Sequence, residues 1–112
     1  MSRRRTLSPE ATPVEVQWTP RARNDLVRIG DYIAEESPGA ASRWVATLVA
    51  AADDIGGAPL TGRRVPELER DEIREVIEGR DRIVYRVAGG QFEILTVFEG
   101  NRLMPIGDDE AR

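Results

Sequence analysis

Six arginines stand close together in the second half of the chain, Arg63, Arg64, Arg74, Arg82, Arg86 and Arg102, with Glu67, Glu75 and Glu78 interleaved among them. A guanidinium is a planar fork of donors, so the set is suited to gripping carboxylate or phosphate oxygens. It is poorly suited to moving protons, because an arginine side chain holds its proton up to a pKa above ~12. The sequence contains no histidine and no cysteine, and all sixteen basic residues are arginine. That removes the commonest general base, the commonest metal ligand and any thiolate chemistry. Proton transfer would fall to the three glutamates or to Tyr32 and Tyr85, and the expectation is a site that needs no cofactor and no metal.

These arginines have to be positioned by a hairpin. The runs Glu72-Ile73-Arg74-Glu75-Val76-Ile77 and Arg82-Ile83-Val84-Tyr85-Arg86-Val87 each alternate with the period of two that a half-buried strand requires, and the short Gly79-Arg80-Asp81 connection favours antiparallel pairing. A three-residue loop there sets Arg74 opposite Arg86 and Glu78 opposite Arg82. Arg74, Arg82, Arg86 and Glu78 then share one face of the sheet, and Ile73, Ile77, Ile83, Tyr85 and Val87 form the other, core-facing side. The loop from Gly56 to Asp71, punctuated by Pro59, Gly62 and Pro66, brings Arg63 to the hairpin, while Arg102 follows the last strand.

Upstream, Val14, Val16 and Trp18 alternate with polar residues as a first strand. Thr19-Pro20 and Ser37-Pro38 each read as an N-cap with proline at the first helical position, where a missing N–H costs nothing. The first helix carries Ala22, Leu26, Ile29 and Ile33 on its apolar stripe, with Arg21, Asp25, Arg28 and Asp31 outside it, and ends near Glu36. The second carries Ala41, Trp44, Val45, Leu48, Ala52 and Ile55, and closes at Gly56-Gly57, residues that tolerate positive φ. Trp44 is expected to be the largest apolar contributor to the core. After the hairpin, Gly89-Gly90 makes a two-residue turn into a last strand with Phe92, Ile94, Thr96 and Phe98 on one face and Leu95 and Val97 on the other.

The expected fold class is therefore α+β in the order β-α-α-β-β-β, an antiparallel sheet of about four strands packed against a helical hairpin. At 112 residues the chain is one domain with one modest core. Residues 1–13 have the composition of a disordered lead-in, 14–104 form the domain, and 105–112 are an acidic tail. A net charge of -4 argues against a protein held to nucleic acid by its bulk field. No apolar run approaches the ~18 residues of a membrane span, and no secretory segment follows Arg3-Arg4-Arg5, so the expected location is the cytoplasm.

The element order, together with Trp18-Thr19-Pro20-Arg21-Ala22, Pro59-Leu60-Thr61-Gly62-Arg63, Pro66-Glu67-Leu68, Ile73-Arg74-Glu75 and Arg82-Ile83-Val84-Tyr85-Arg86-Val87, resembles the RelE/ParE superfamily of toxins from bacterial type II toxin-antitoxin systems. The resemblance spans residues 14 to 103 and is strongest to the ParE branch. It implies a growth-arresting toxin that inhibits DNA gyrase by binding, neutralised by a cognate ParD-like antitoxin in a hetero-oligomer, with operator DNA bound only through the antitoxin. Arg63, Arg74, Arg82, Arg86 and Arg102 are the candidate residues for target or antitoxin binding.

Two other activities compete with that expectation. RelE-like members of the superfamily cleave messenger RNA on the ribosome, which requires an acid and a base around the scissile phosphate as well as cations. Such nucleases supply these groups with lysines or with a Glu, Arg, His and Tyr set, often with a tyrosine near the C-terminus. This chain has neither lysine nor histidine, and no tyrosine follows its last strand. A degenerate, non-toxic binding module is the third reading. If the arginine face is exposed, replacing Arg82 and Arg86 together by alanine abolishes toxicity and leaves the fold intact.

Overall fold

A computed structural model describes residues 15–107. The extension assigned to residues 1–13, the first strand residue Val14 and the acidic run at 108–110 lie outside the described residues. The elements are β1 (Val16–Trp18), α1 (Pro20–Ala34), α2 (Pro38–Gly57), a turn of 3₁₀ helix (Pro59–Thr61), β2 (Arg63–Arg64), β3 (Ile73–Glu78), β4 (Asp81–Ala88) and β5 (Gln91–Glu99). They form one sheet in the order β1-β5-β4-β3-β2. Four neighbours were not all that the sequence contained: the two-residue β2 adds a fifth strand, and β1 joins β5 in parallel while the remaining pairs are antiparallel.

Both helices begin where their caps place them. Thr19 Oγ1 accepts from the Ala22 N–H and Ser37 Oγ from the Ala40 N–H, each at 3.1 Å, with proline following in both cases. The end of α2 differs from the expectation. Gly56 and Gly57 stay helical at negative φ, and the helix stops at Ala58 ahead of Pro59, whose ring cannot follow a helical residue.

The sheet has an apolar cluster on each side. Leu48, Ala52 and Ile55 of α2 and Ala22 of α1 pack on Ile83, Tyr85, Phe92, Ile94 and Val97. The Tyr85 and Phe92 rings meet edge to face at 4.9 Å, and a buried side chain of this size is worth ~1.5–3 kcal/mol. Leu26, Ile29, Ile33 and Trp44, expected to be buried, are only half-buried, because the hairpin of helices covers the sheet unevenly and leaves their outer edges open. On the opposite face Val65, Ile73, Val84, Leu95, Phe98 and Ile106 form a second cluster beneath the segments that follow β2 and β5. Folded structure thus continues past residue 104 to Ile106, which is 4% exposed.

Two local features reassign the faces. The β3–β4 turn has two residues, Gly79 at φ +58 and Arg80, not three. A two-residue turn led by glycine at positive φ matches the twist of the paired strands. The register moves by one, so Arg74 pairs with Tyr85 and Ile73 with Arg86. On β5 the ladder to β4 is interrupted by a bulge that leaves Leu95 as the extra residue. Alternation is broken there, and Val97 joins Phe92 and Ile94 under the helices while Leu95 and Phe98 turn to the second cluster.

Where β1 ends, α1 takes over the edge of β5. Thr19 donates its backbone N–H to Ile94 O at 3.1 Å, and its hydroxyl is shared between the Ile94 and Leu95 carbonyls. Asp25 Oδ2 accepts from the Val97 N–H at 3.0 Å and the Thr96 hydroxyl at 2.5 Å. Asp25, expected on the wet side of α1, is 2% exposed. A carboxylate is tolerated there because it satisfies strand-edge donors that would otherwise be unpaired.

Candidate functional site

Glu75 is the centre of the charged face. With the two-residue turn it pairs with Val84 and so shares a side with Arg82. Its side chain is fully buried, and each of its oxygens meets a guanidinium: Oε2 accepts from Arg63 Nε at 2.6 Å, and Oε1 from Arg82 Nε at 2.6 Å. Arg82 in turn reaches Glu67 with both terminal nitrogens, at 3.0 and 2.9 Å, and lies 4.9 Å from the Phe98 ring centroid. The result is an alternating chain, Arg63–Glu75–Arg82–Glu67, laid across one face of the sheet. The two-ended grip of Arg82 holds the Glu67 carboxyl below the ordinary glutamate range, and the same bonds push the Arg82 guanidinium up.

The remaining candidates go elsewhere. Arg74 lies on the helix side, where Nη1 donates to Gly62 O at 3.0 Å and Nε to Asp71 O at 3.1 Å, bracing the loop. Glu78 also leaves the arginine face, pairing with Asp81. Ile73 and Ile77 move in the opposite sense: Ile73 is buried in the second cluster, and Ile77 is 53% exposed opposite Arg82. Arg86 pairs across β5 with Glu93, Nη2 to Oε1 at 3.2 Å. Of the five candidates, then, Arg63 and Arg82 share a network, Arg74 and Arg86 stand apart with acceptors of their own, and exposed Arg102 has no acidic partner among the described residues.

Tyr85 is engaged as well. Its hydroxyl donates to Pro59 O at 2.7 Å and accepts from the Gly62 N–H at 3.0 Å, and burial pushes it up from the ordinary tyrosine value. Glycine is needed at position 62, since a Cβ would fall 2.3 Å from that oxygen and 2.7 Å from Glu75 O. This latch ties the loop carrying Arg63 to the hairpin.

Arg102 belongs to a second place. A groove of about 420 Å³ runs between the end of α1, the start of α2 and the end of the sheet near the β3–β4 turn. Ile29, Ile33, Trp44 and Phe98 line its floor, and Tyr32, 73% exposed, stands over it. Trp44 thus lines the groove as a half-buried residue packed against the first cluster and is not the main anchor of the core, and its indole N–H donates to Asp81 Oδ2 at 2.8 Å. Burial raises the Asp81 carboxyl above the ordinary aspartate value, against the lowering effect of that bond.

The sequence reading missed Glu67 and Glu75 as fixed partners, and it missed the groove. Glu75 was within reach: a two-residue turn in place of a three-residue one puts it on the Arg82 side. The groove joins positions about 70 residues apart in sequence, and no local pattern marks it. Among the described residues no cluster of three or more His, Cys, Asp or Glu side chains is arranged to hold a metal ion, and no helix is long and apolar enough to cross a membrane.

Residues 16–104 match the family described as ParE toxin of type II toxin-antitoxin system, parDE. The chain is 37% identical over 90 residues to Toxin RelE2 of Caulobacter vibrioides, covering 80% of this chain and 98% of that protein. Among solved structures it is similar to a chain of the chromosomal ParDE TA system from P. aeruginosa, with TM-score 0.65 and 25% identity over 77% of this chain and 95% of that one. It is also similar to a chain of the toxin-antitoxin complex RelBE2 from Mycobacterium tuberculosis, with TM-score 0.60 and 26% identity over 79% and 99% of the two chains.

Proposed function

The chain belongs to the ParE toxin family of type II toxin-antitoxin systems, within the RelE/ParE superfamily, and on that premise we propose that it arrests growth by binding DNA gyrase and not by cleaving RNA. The observation that carries this reading is the state of the arginine face. Glu75, the buried carboxylate at its centre, is held between two guanidiniums, and Glu67 is gripped by Arg82 and shifted toward staying ionised. Neither is placed to shuttle a proton, and the Tyr85 hydroxyl is turned to the loop backbone. An acid and a base flanking a phosphate are what RNA cleavage by 2′-hydroxyl attack requires. A binding mechanism requires neither, nor a cofactor.

On this reading the free toxin acts in the cytoplasm as a non-enzymatic inhibitor. A ParD-like antitoxin, encoded beside it, sequesters the toxin in a hetero-oligomer and carries any contact with operator DNA. The likeness to the ParDE and RelBE2 complexes supports an antitoxin partner. The name RelE2 of one relative keeps messenger cleavage as the reading to test against. The deciding experiment is a supercoiling and cleavage assay with purified gyrase and antitoxin-free toxin, without ribosomes. The expected outcome is loss of supercoiling with accumulation of cleaved DNA. Unchanged supercoiling at large toxin excess, with codon-dependent messenger cleavage once ribosomes are added, would establish the nuclease instead; no effect in either assay would leave a binding module.

A further inference from the structure

Three carboxylates line up across the end of the sheet. Glu78 pairs with Asp81 across the β3–β4 turn, and Asp81 pairs with Glu99 on β5, so all three stand on the helix side, where like charges directly opposite one another repel. The middle one is the deepest. Asp81 is 4% exposed, whereas Glu78 and Glu99 are half-buried. Asp25, the other buried aspartate of this region, has Arg28 as a partner and two donors from β5. Asp81 has one donor, the Trp44 indole, and no ion pair among the described residues; Arg80, 75% exposed, goes instead to Glu99 at 3.5 Å. Trp44 also packs on the turn itself, so closely that a Cβ at Gly79 would fall 2.6 Å from its ring. One side chain of α2 therefore touches both the turn and the first residue of β4.

We infer that Asp81 is a proton-binding site that makes the contact between α2 and the β3–β4 turn respond to pH. A carboxyl protonated on its other oxygen keeps Oδ2 for the indole N–H and loses the charge that opposes Glu78 and Glu99. A buried carboxylate without a cation favours that neutral form. Burial, aided by Glu99, pushes the Asp81 carboxyl above the ordinary aspartate value, against the Trp44 bond and Arg80. The folded state then holds the proton more tightly than the unfolded one. Ionised Asp81 costs stability above its folded value, and that stability returns as pH falls through it toward the ordinary aspartate value. The other charges around the site are Asp25 and Arg28 of α1 and Arg102 after β5, while α2 faces it with Trp44. The groove lining holds three acidic residues and three arginines, so one proton at Asp81 turns it from neutral to net positive. Acid response of the fold and charge of the groove are then a single event.

The test follows the Trp44 indole N–H resonance of the full-length, antitoxin-free chain by heteronuclear NMR through a pH titration, with the cross-peak assigned by its loss in Trp44→Phe. Wild type is expected to show one titration with its midpoint above the ordinary aspartate value. Asp81→Asn keeps an acceptor for the indole and is expected to abolish that titration, to raise the urea midpoint at neutral pH and to remove the gain on acidification. Glu99→Gln is expected to move the titration midpoint down, and it reads the same site if Asp81→Asn does not fold. A resonance that stays still, that titrates at or below the ordinary aspartate value, or that titrates unchanged in Asp81→Asn overturns the inference. Wild-type pH dependence of stability in Asp81→Asn, or an unmoved midpoint in Glu99→Gln, overturns it as well.

Discussion

Two groups of arginines in this molecule resemble each other in sequence and differ in what surrounds them. On the sheet face Arg82 is 8% exposed, is held by two carboxylates and lies against Phe98. At the groove Arg102 is exposed and has no acidic partner among the described residues. A buried guanidinium has lost its water, and its partners mostly repay that loss. An exposed one keeps its water and is free to exchange it for a ligand. The first kind of arginine therefore specifies structure, and the second is available for recognition.

The largest test of that contrast is a pair of single substitutions. Arg82→Ala leaves Glu75 buried against Arg63 alone and is expected to lower stability by about 3 kcal/mol, whereas Arg102→Ala should stay within about 0.5 kcal/mol of wild type; urea denaturation of both variants measures the difference. Replacing Arg82 and Arg86 together, expected from sequence to remove toxicity in an intact fold, therefore confounds function with folding. Equal stabilities for Arg82→Ala and Arg102→Ala would break the comparison.

Asp25 sharpens it, because this residue borders the groove yet serves the fold. Asp25→Ala strands the Val97 N–H and the Thr96 hydroxyl at the β5 edge, for an expected loss of about 2 kcal/mol. Faster amide hydrogen exchange at Val97 would locate the damage. Unaltered exchange there would mean that another acceptor takes over.

The smallest effect concerns pH. The Glu67 carboxyl is depressed in the folded state by Arg82, so its contribution is present above the unfolded glutamate value and is lost as pH falls through the folded one. Glu67 is 41% exposed, and solvent screening limits the contribution to under ~1 kcal/mol. Glu67→Gln should therefore be slightly less stable than wild type at pH 7 and converge with it in acid. A stability difference that persists at pH 2 would point to packing instead of charge.

What the amino-acid sequence determined alone was set by near neighbours along the chain. Thr19-Pro20 and Ser37-Pro38 start helices because a cap and a restricted φ act within one turn. Gly89-Gly90 makes the expected two-residue turn, with both residues at positive φ. The element order, and with it the family, followed from such signals. The faces of the hairpin did not, since one residue more or less in the Gly79-Arg80 turn inverts the side on which every β3 residue lies relative to β4. The bulge at Leu95 and the burial of Asp25 were decided only in three dimensions, where the β5 edge needed an acceptor that β1 was too short to provide. The pairing of Arg82 with Glu67 and Glu75, and the openness of the groove at Arg102, are likewise tertiary facts: whether a charge is neutralised depends on what the fold brings within hydrogen-bonding distance, and the sequence lists only which charges there are.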